Sequence, residues 1–127
     1  MFRIRKEQMD HFRAKGRRAY LQRLVEFVRA EHAELLPGPG DPLERIAPLV
    51  DKADRLGFEL ELDTTQLVLL FLLFGADADE KLGWFGQVLN DRSYMPIGKV
   101  RRLVELAREQ GEAGVDKIDI SAPEIVI

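Results

Sequence analysis

The sequence predicts an all-α fold: a single compact bundle of four to five helices around a central apolar helix, with an extended C-terminal tail. Three features carry this reading. Leu67-Val68-Leu69-Leu70-Phe71-Leu72-Leu73-Phe74 is an unbroken apolar run closed by Gly75. It is too short for the ~20 residues of a bilayer span and too apolar for a surface, so it belongs at the centre of a core. On both sides of it apolar residues recur in steps of three and four, the helical period. Between those periodic stretches lie breaks rich in Pro, Gly, Asp and Asn.

Residues 6–35 read as one long helix. Met9, Phe12, Gly16, Tyr20, Leu24 and Phe27 mark one face, and Leu21, Val25, Val28 and Leu35 widen it in the second half. The first half is basic and poor in apolar residues, so the second half should pack more firmly. Pro37-Gly38-Pro39-Gly40 ends the element. A new helix then starts with Asp41 as N-cap, Pro42 at the first position and Glu44 completing a capping box. Leu43, Ile46, Leu49, Val50 and Ala53 form its buried stripe, and Gly57 stops it. Pro48 lies inside and should kink or split it, because proline removes a helical hydrogen bond.

Phe58-Glu59-Leu60-Glu61-Leu62 alternates like a strand but has no partner strand, so it reads as an extended connector. Asp63 or Thr64 caps the central helix, which runs through the apolar block to Gly75. Ala76-Asp77-Ala78-Asp79 makes a turn. A helix over about 79–90 buries Leu82, Phe85, Val88 and Leu89. Pro96 opens the last helix, to about Gln110, with Ile97, Val100, Leu103, Val104 and Ala107 inward. The domain is therefore 1–110 and the tail 111–127, in which Pro123 opposes a helix.

Composition narrows the function. The 127 residues are 46% hydrophobic and 32% charged, the balance of one globular domain. With no cysteine, disulfides and thiolate metal sites are excluded. The basic start is followed by no apolar segment of the signal-peptide kind, and no stretch suits a membrane span. A cytoplasmic protein with no membrane partner is the expectation. The formal net charge of −3 conceals an asymmetry: residues 1–30 hold nine Lys/Arg against Glu7, Asp10 and Glu26, leaving an acidic remainder. Such a dipole steers a charged partner or closes the domain on itself.

The candidate chemistry is sparse. His11 and His32 are almost six helical turns apart, too far to share a metal, and read as surface residues. Asp77-Ala78-Asp79-Glu80 resembles the start of a calcium loop, but Gly83 and Val88 fall where that loop needs other residues, so it reads as a helix-capping turn. Glu59, Glu61 and Asp63 read as a solvated acidic edge. Ser93 and Ser121 lie in no nucleophile-elbow pattern, and no glycine-rich phosphate loop is present. The residues imply no enzyme, no cofactor and no metal.

Interaction surfaces are better represented. Arg13, Arg17 and Arg18 make a basic face on the first helix, which Lys99, Arg101 and Arg102 could extend. With a pI near 5.5, nucleic acid is a disfavoured partner and an acidic protein surface a better one. In the tail, Ile118, Ile120, Ile125, Val126 and Ile127 either pack back on the domain or add to a partner's sheet edge or groove.

Several strings also fall in a known order. They are Ile4-Arg5-Lys6-Glu7-Gln8-Met9-Asp10-His11-Phe12, Ala53-Asp54-Arg55-Leu56-Gly57 and Leu73-Phe74-Gly75-Ala76-Asp77. They are followed by Trp84, by Leu89 with Asp91, and by a closing helix from Lys99 to Ala107. In these the chain resembles, over residues 4–108, a family of small helical proteins encoded in type VI secretion gene clusters of proteobacteria. It departs from members that carry an aromatic-Asp pair where Ala78-Asp79 stands here. The resemblance implies an accessory of effector delivery or of self-protection. The expected function is a non-enzymatic adaptor or chaperone for an effector or spike component. The alternatives are an immunity protein against a neighbouring toxin and a nucleic-acid-binding regulator.

Overall fold

The computed structural model describes residues 6–111, with side chains from Gly16 onward. Helix α1 spans Lys6–Glu31, α2 Pro42–Arg55, α3 Glu61–Phe74, α4 Ala78–Lys81, α5 Gly83–Leu89 and α6 Pro96–Glu109. No strand occurs among the described residues, so the architecture is all-α. The predicted tail residues 112–127 lie outside the described part.

The apolar run occupies α3; it is sheathed on all sides as far as Phe71, and Leu72, Leu73 and Phe74 are half-buried. Nine consecutive residues, Asp63 to Phe71, are buried. Nine residues make two and a half helical turns, so no direction around this axis is left to water. α2 packs on one flank and α6 on another, and a 3-10 turn at Ala33–Leu35 packs on α3 as well. Tyr20 reaches the first turn of α3 from α1. Phe85 of α5 meets Phe71 with ring centroids 5.1 Å apart, and Trp84 meets Phe74 edge-on at 5.4 Å. α1 and α2 run antiparallel: Arg17 pairs with Asp51 and Asp54 near the end of α2, while Arg29 and Ala33 lie beside Pro42 and Arg45 at its start.

Helix boundaries follow local chemistry. Asp41 caps α2 as predicted, its carboxylate accepting from the Leu43 N–H at 3.0 Å with Pro42 at the first helical position. Glu44 makes no reciprocal side-chain bond among the described residues, so the capping box is half formed. α2 ends in a Schellman arrangement. The Phe58 N–H donates to Ala53 O and the Gly57 N–H to Asp54 O, with Gly57 at φ 88° and Phe58 buried against Ala53.

Several expectations are corrected. α1 stops at Glu31 rather than 35, because His32 leaves helical geometry at φ −138°. His32 is buried, not on the surface, with its ring edge-on to Phe27 at 5.4 Å. Pro48 does not split α2: the helix runs through it, with the proline exposed. Leu43 is 40% exposed and does not belong to the buried stripe. Leu60, not Asp63 or Thr64, precedes α3, so the connector is only Phe58–Leu60 and both polar residues are buried inside the first helical turns. The predicted helix over 79–90 is two, α4 and α5, parted at Leu82.

Two lysines do unexpected work. Lys52 donates to Ala76 O at 3.0 Å and to the Asp79 carboxylate at 2.7 Å, with its Nζ 4.8 Å from the Phe71 ring centroid. A cation just past the C-terminus of α3 suits the helix dipole. Lys99 is buried and donates to Leu89 O at 2.6 Å, tying α6 to the end of α5, so it is not part of a basic patch. Half-buried Ile97 is correspondingly less enclosed than Val100, Leu103, Val104 and Ala107.

α4 and α5 pack closely at Gly86. A β-carbon there would fall inside van der Waals contact of the Asp79 carbonyl oxygen, which is backbone and cannot swing away. Gly86→Ala should therefore destabilise the domain by about 1–3 kcal/mol despite its better helix propensity. Chemical denaturation of the two proteins checks this; an unchanged or raised midpoint would show that the α4–α5 contact is looser than described.

Candidate interaction groove

An open groove of about 770 Å³ separates α1 from the end of α2 and the start of α3. It is lined by Gly16, Arg17 and Tyr20 of α1, Val50 and Asp54 of α2, the connector residues Phe58 and Glu59, and Glu61 and Thr64 of α3. The Schellman turn at Gly57 places this wall. It reverses the chain directly after α2, so Phe58 turns into the core while Glu59 and the 65%-exposed Leu60 stay outside.

A hydrogen-bonded cluster holds α1 to α3 at the groove. The Tyr20 and Thr65 hydroxyls lie 2.8 Å apart, and the Thr65 hydroxyl donates to Glu61 O at 2.8 Å. Tyr20 also comes within 3.3 Å of Glu61 O. Burial pushes the Tyr20 phenol far above its ordinary value, so it stays neutral. Arg23 grips both carboxylate oxygens of Glu61, at 2.8 and 2.9 Å. Nearly two turns earlier Arg17 bridges Asp51 and, at 3.1 Å, Asp54. These arginine side chains are 38% and 44% exposed, so each pair contributes at most about 1 kcal/mol and weakens with salt.

The predicted contact residues divide in three. Arg17 sits at the groove, held by the domain's own carboxylates. Arg18 is exposed on α1. The Arg13 side chain and Ile118, Ile120, Ile125, Val126 and Ile127 lie outside the described residues. Sequence reasoning missed Asp51, Asp54 and Tyr20. The charge asymmetry between residues 1–30 and the remainder was the available signal, and Arg17 and Arg23 show the domain closing on itself through it.

Among the described lining residues Asp54 is paired with Arg17 and Glu61 with Arg23, while Glu59 has no ion pair. A second, smaller cavity of about 220 Å³ lies between Arg29 and Arg45 at the start of α2. No group of three or more metal-ligating side chains occurs among the described residues. Nor is any described helix long and apolar enough to cross a membrane. No family model matches the chain, and no curated protein or solved structure matches it.

Asp63 stands apart from this cluster. It is buried in the first turn of α3, and desolvation alone pushes its carboxyl above the usual range. A carboxyl whose folded pKa exceeds its unfolded one costs stability once it is ionised, and that cost disappears as pH falls below the unfolded pKa of ~3.9. Asp63→Asn should therefore raise the melting temperature at pH 7, with the difference fading below about pH 4. Thermal melts across that range check it; a variant less stable than wild type at neutral pH would mean that a favourable interaction outweighs the burial.

Proposed function

We propose that the protein is a non-enzymatic interaction module, an adaptor or chaperone that holds an effector or spike component of a type VI secretion system in the bacterial cytoplasm. The observation that carries this reading is the open groove beside α1, at the junction of three helices. Ligand clefts commonly measure ~300–1,000 Å³, and this groove lies within that range. The resemblance of residues 4–108 to accessory proteins of secretion clusters supplies the biological setting.

In this reading Arg18 and Arg13 of α1 meet the partner directly and Arg17 contributes at the groove rim. Ile118, Ile120, Ile125, Val126 and Ile127 add an apolar strand or strap. Glu59, exposed at the groove with no ion pair among the described residues, favours a second reading, an immunity protein that covers the cationic active site of a neighbouring toxin. Arg17 and Lys99 are both engaged within the domain, which leaves less basic surface for the nucleic-acid alternative.

Co-expression with the products of neighbouring genes separates these readings. An adaptor should co-purify with an effector and a spike protein, and its deletion should abolish delivery. An immunity protein should abolish the toxicity of a co-expressed toxin. If no neighbouring product is retained and deletion changes neither delivery nor survival, both readings fail.

A further inference from the structure

We propose that the cavity between the end of α1 and the start of α2 binds a phosphate group, held between the guanidiniums of Arg29 and Arg45. Arg29 lines this cavity from α1, Arg45 from α2, and Gly38 and Gly40 from the loop that joins them. The two arginines are its only charged lining residues, and no carboxylate lines it. Neither arginine enters an ion pair among the described residues. By contrast Arg17, Arg23 and Lys52, which also reach from one helix to the next, each meet a carboxylate of the domain. Two guanidiniums at one cavity repel each other, and an anion between them replaces that repulsion with two attractions.

The fold fixes where each donor sits. Antiparallel packing of α1 on α2 sets Arg29 beside the first turns of α2, where Arg45 shares a face with Pro42 three residues earlier. Arg45 Nη1 donates to Pro37 O at 3.3 Å, which anchors the guanidinium to the loop and leaves most of its N–H donors for a ligand. Gly38 and Gly40, at φ 83° and 136°, have amides that make no hydrogen bond among the described residues. These amides supplement the arginines but cannot replace them. Pro37 and Pro39 carry no N–H, so the loop lacks the run of donors of a glycine-rich phosphate loop. Nor does the start of α2 supply amides, because Pro42 has none and the Leu43 and Glu44 N–H groups donate to Asp41. Charge and size select the ligand. Two unpaired guanidiniums match the roughly −1.5 to −2 charge of a phosphomonoester better than the single charge of a carboxylate. At about 220 Å³ the cavity lies below the ~300–1,000 Å³ of clefts for larger ligands, so it suits a compact group.

Titration of the full chain followed by amide NMR tests this, with ionic strength held at about 100 mM by chloride. Inorganic phosphate and glycerol 3-phosphate are the probes, and acetate is the control. Phosphate should give saturable shifts centred on the amides of Arg29, Gly38, Gly40 and Arg45, with a dissociation constant of about 1 mM or tighter. Acetate should bind at least ~10-fold more weakly. Arg29→Gln and Arg45→Gln should each weaken phosphate binding at least ~10-fold, because each removes one charged fork. Arg55→Gln, at the far end of α2, should leave it unchanged. All three arginines are exposed, so the variants should keep the wild-type spectrum elsewhere. Tighter binding of glycerol 3-phosphate identifies the ligand as the end of a larger ester, and equal or weaker binding identifies it as the free ion; either supports the site. No saturable shift by about 20 mM phosphate overturns the proposal. So do shifts centred elsewhere, acetate binding as tight as phosphate, or binding untouched by both Arg29→Gln and Arg45→Gln. None of these outcomes depends on the groove or on binding to a secretion component.

Discussion

The described part of this domain is arranged around the need to keep water from every side of the middle of α3, Asp63 to Phe71. Most helices bury one stripe and solvate the rest, and their neighbours need cover only that stripe. α3 buries nine residues in succession, so it is stable only when flanked from all directions. Each fully buried Leu, Val or Phe contributes ~1.5–3 kcal/mol relative to exposure, and all of that requires the surrounding helices to be in place. The consequence is cooperativity: α1, α2, α5 and α6 are amphipathic or short and have little to pack against except α3 and one another.

A helix so enclosed concentrates its polar problems at its ends. At the N-terminal end Tyr20, Thr65, Arg23 and Glu61 form a chain of hydrogen bonds from α1 to α3. At the C-terminal end Lys52 reaches from α2 to the Ala76 carbonyl and the Asp79 carboxylate while its charge faces the Phe71 ring. Lys99 performs the corresponding task at the end of α5. These contacts lie at the borders of the apolar core, and each bond fixes how one helix meets the next. The groove opens beside one such border, where Glu59 has no ion pair among the described residues.

Much of the fold was legible because strong local signals agree. The apolar run, Gly75, Asp41 with Pro42, Gly57 and Pro96 each mark a feature that the structure contains. What was not legible depends on tertiary packing. Asp63 and Thr64 are good capping residues, yet α3 starts earlier because its first turn is held by Tyr20 and Arg23 from a distant helix. Pro48 is a strong breaker, yet α2 runs through it, since its neighbours Leu49 and Val50 are anchored in the core. Lys99 reads as a surface cation, because nothing local reveals that a carbonyl at a helix end will face it, and the same is true of Lys52. At the groove, the charge asymmetry and the Glu59–Glu61 edge were visible, but their meeting with Arg17 and Arg23 is a property of the fold.

α3 is the keystone of a single cooperative unit, and native-state hydrogen exchange tests that most directly. The amides of Leu67 to Phe71 should be the slowest in the protein and should exchange only by global unfolding. Their free energies should then equal that from denaturant melts, and α2 and α6 should lose protection in the same event. Exchange of these α3 amides at a lower free energy than those of α2 or α6 would contradict the account, because α3 would then open while the helices that enclose it remain folded.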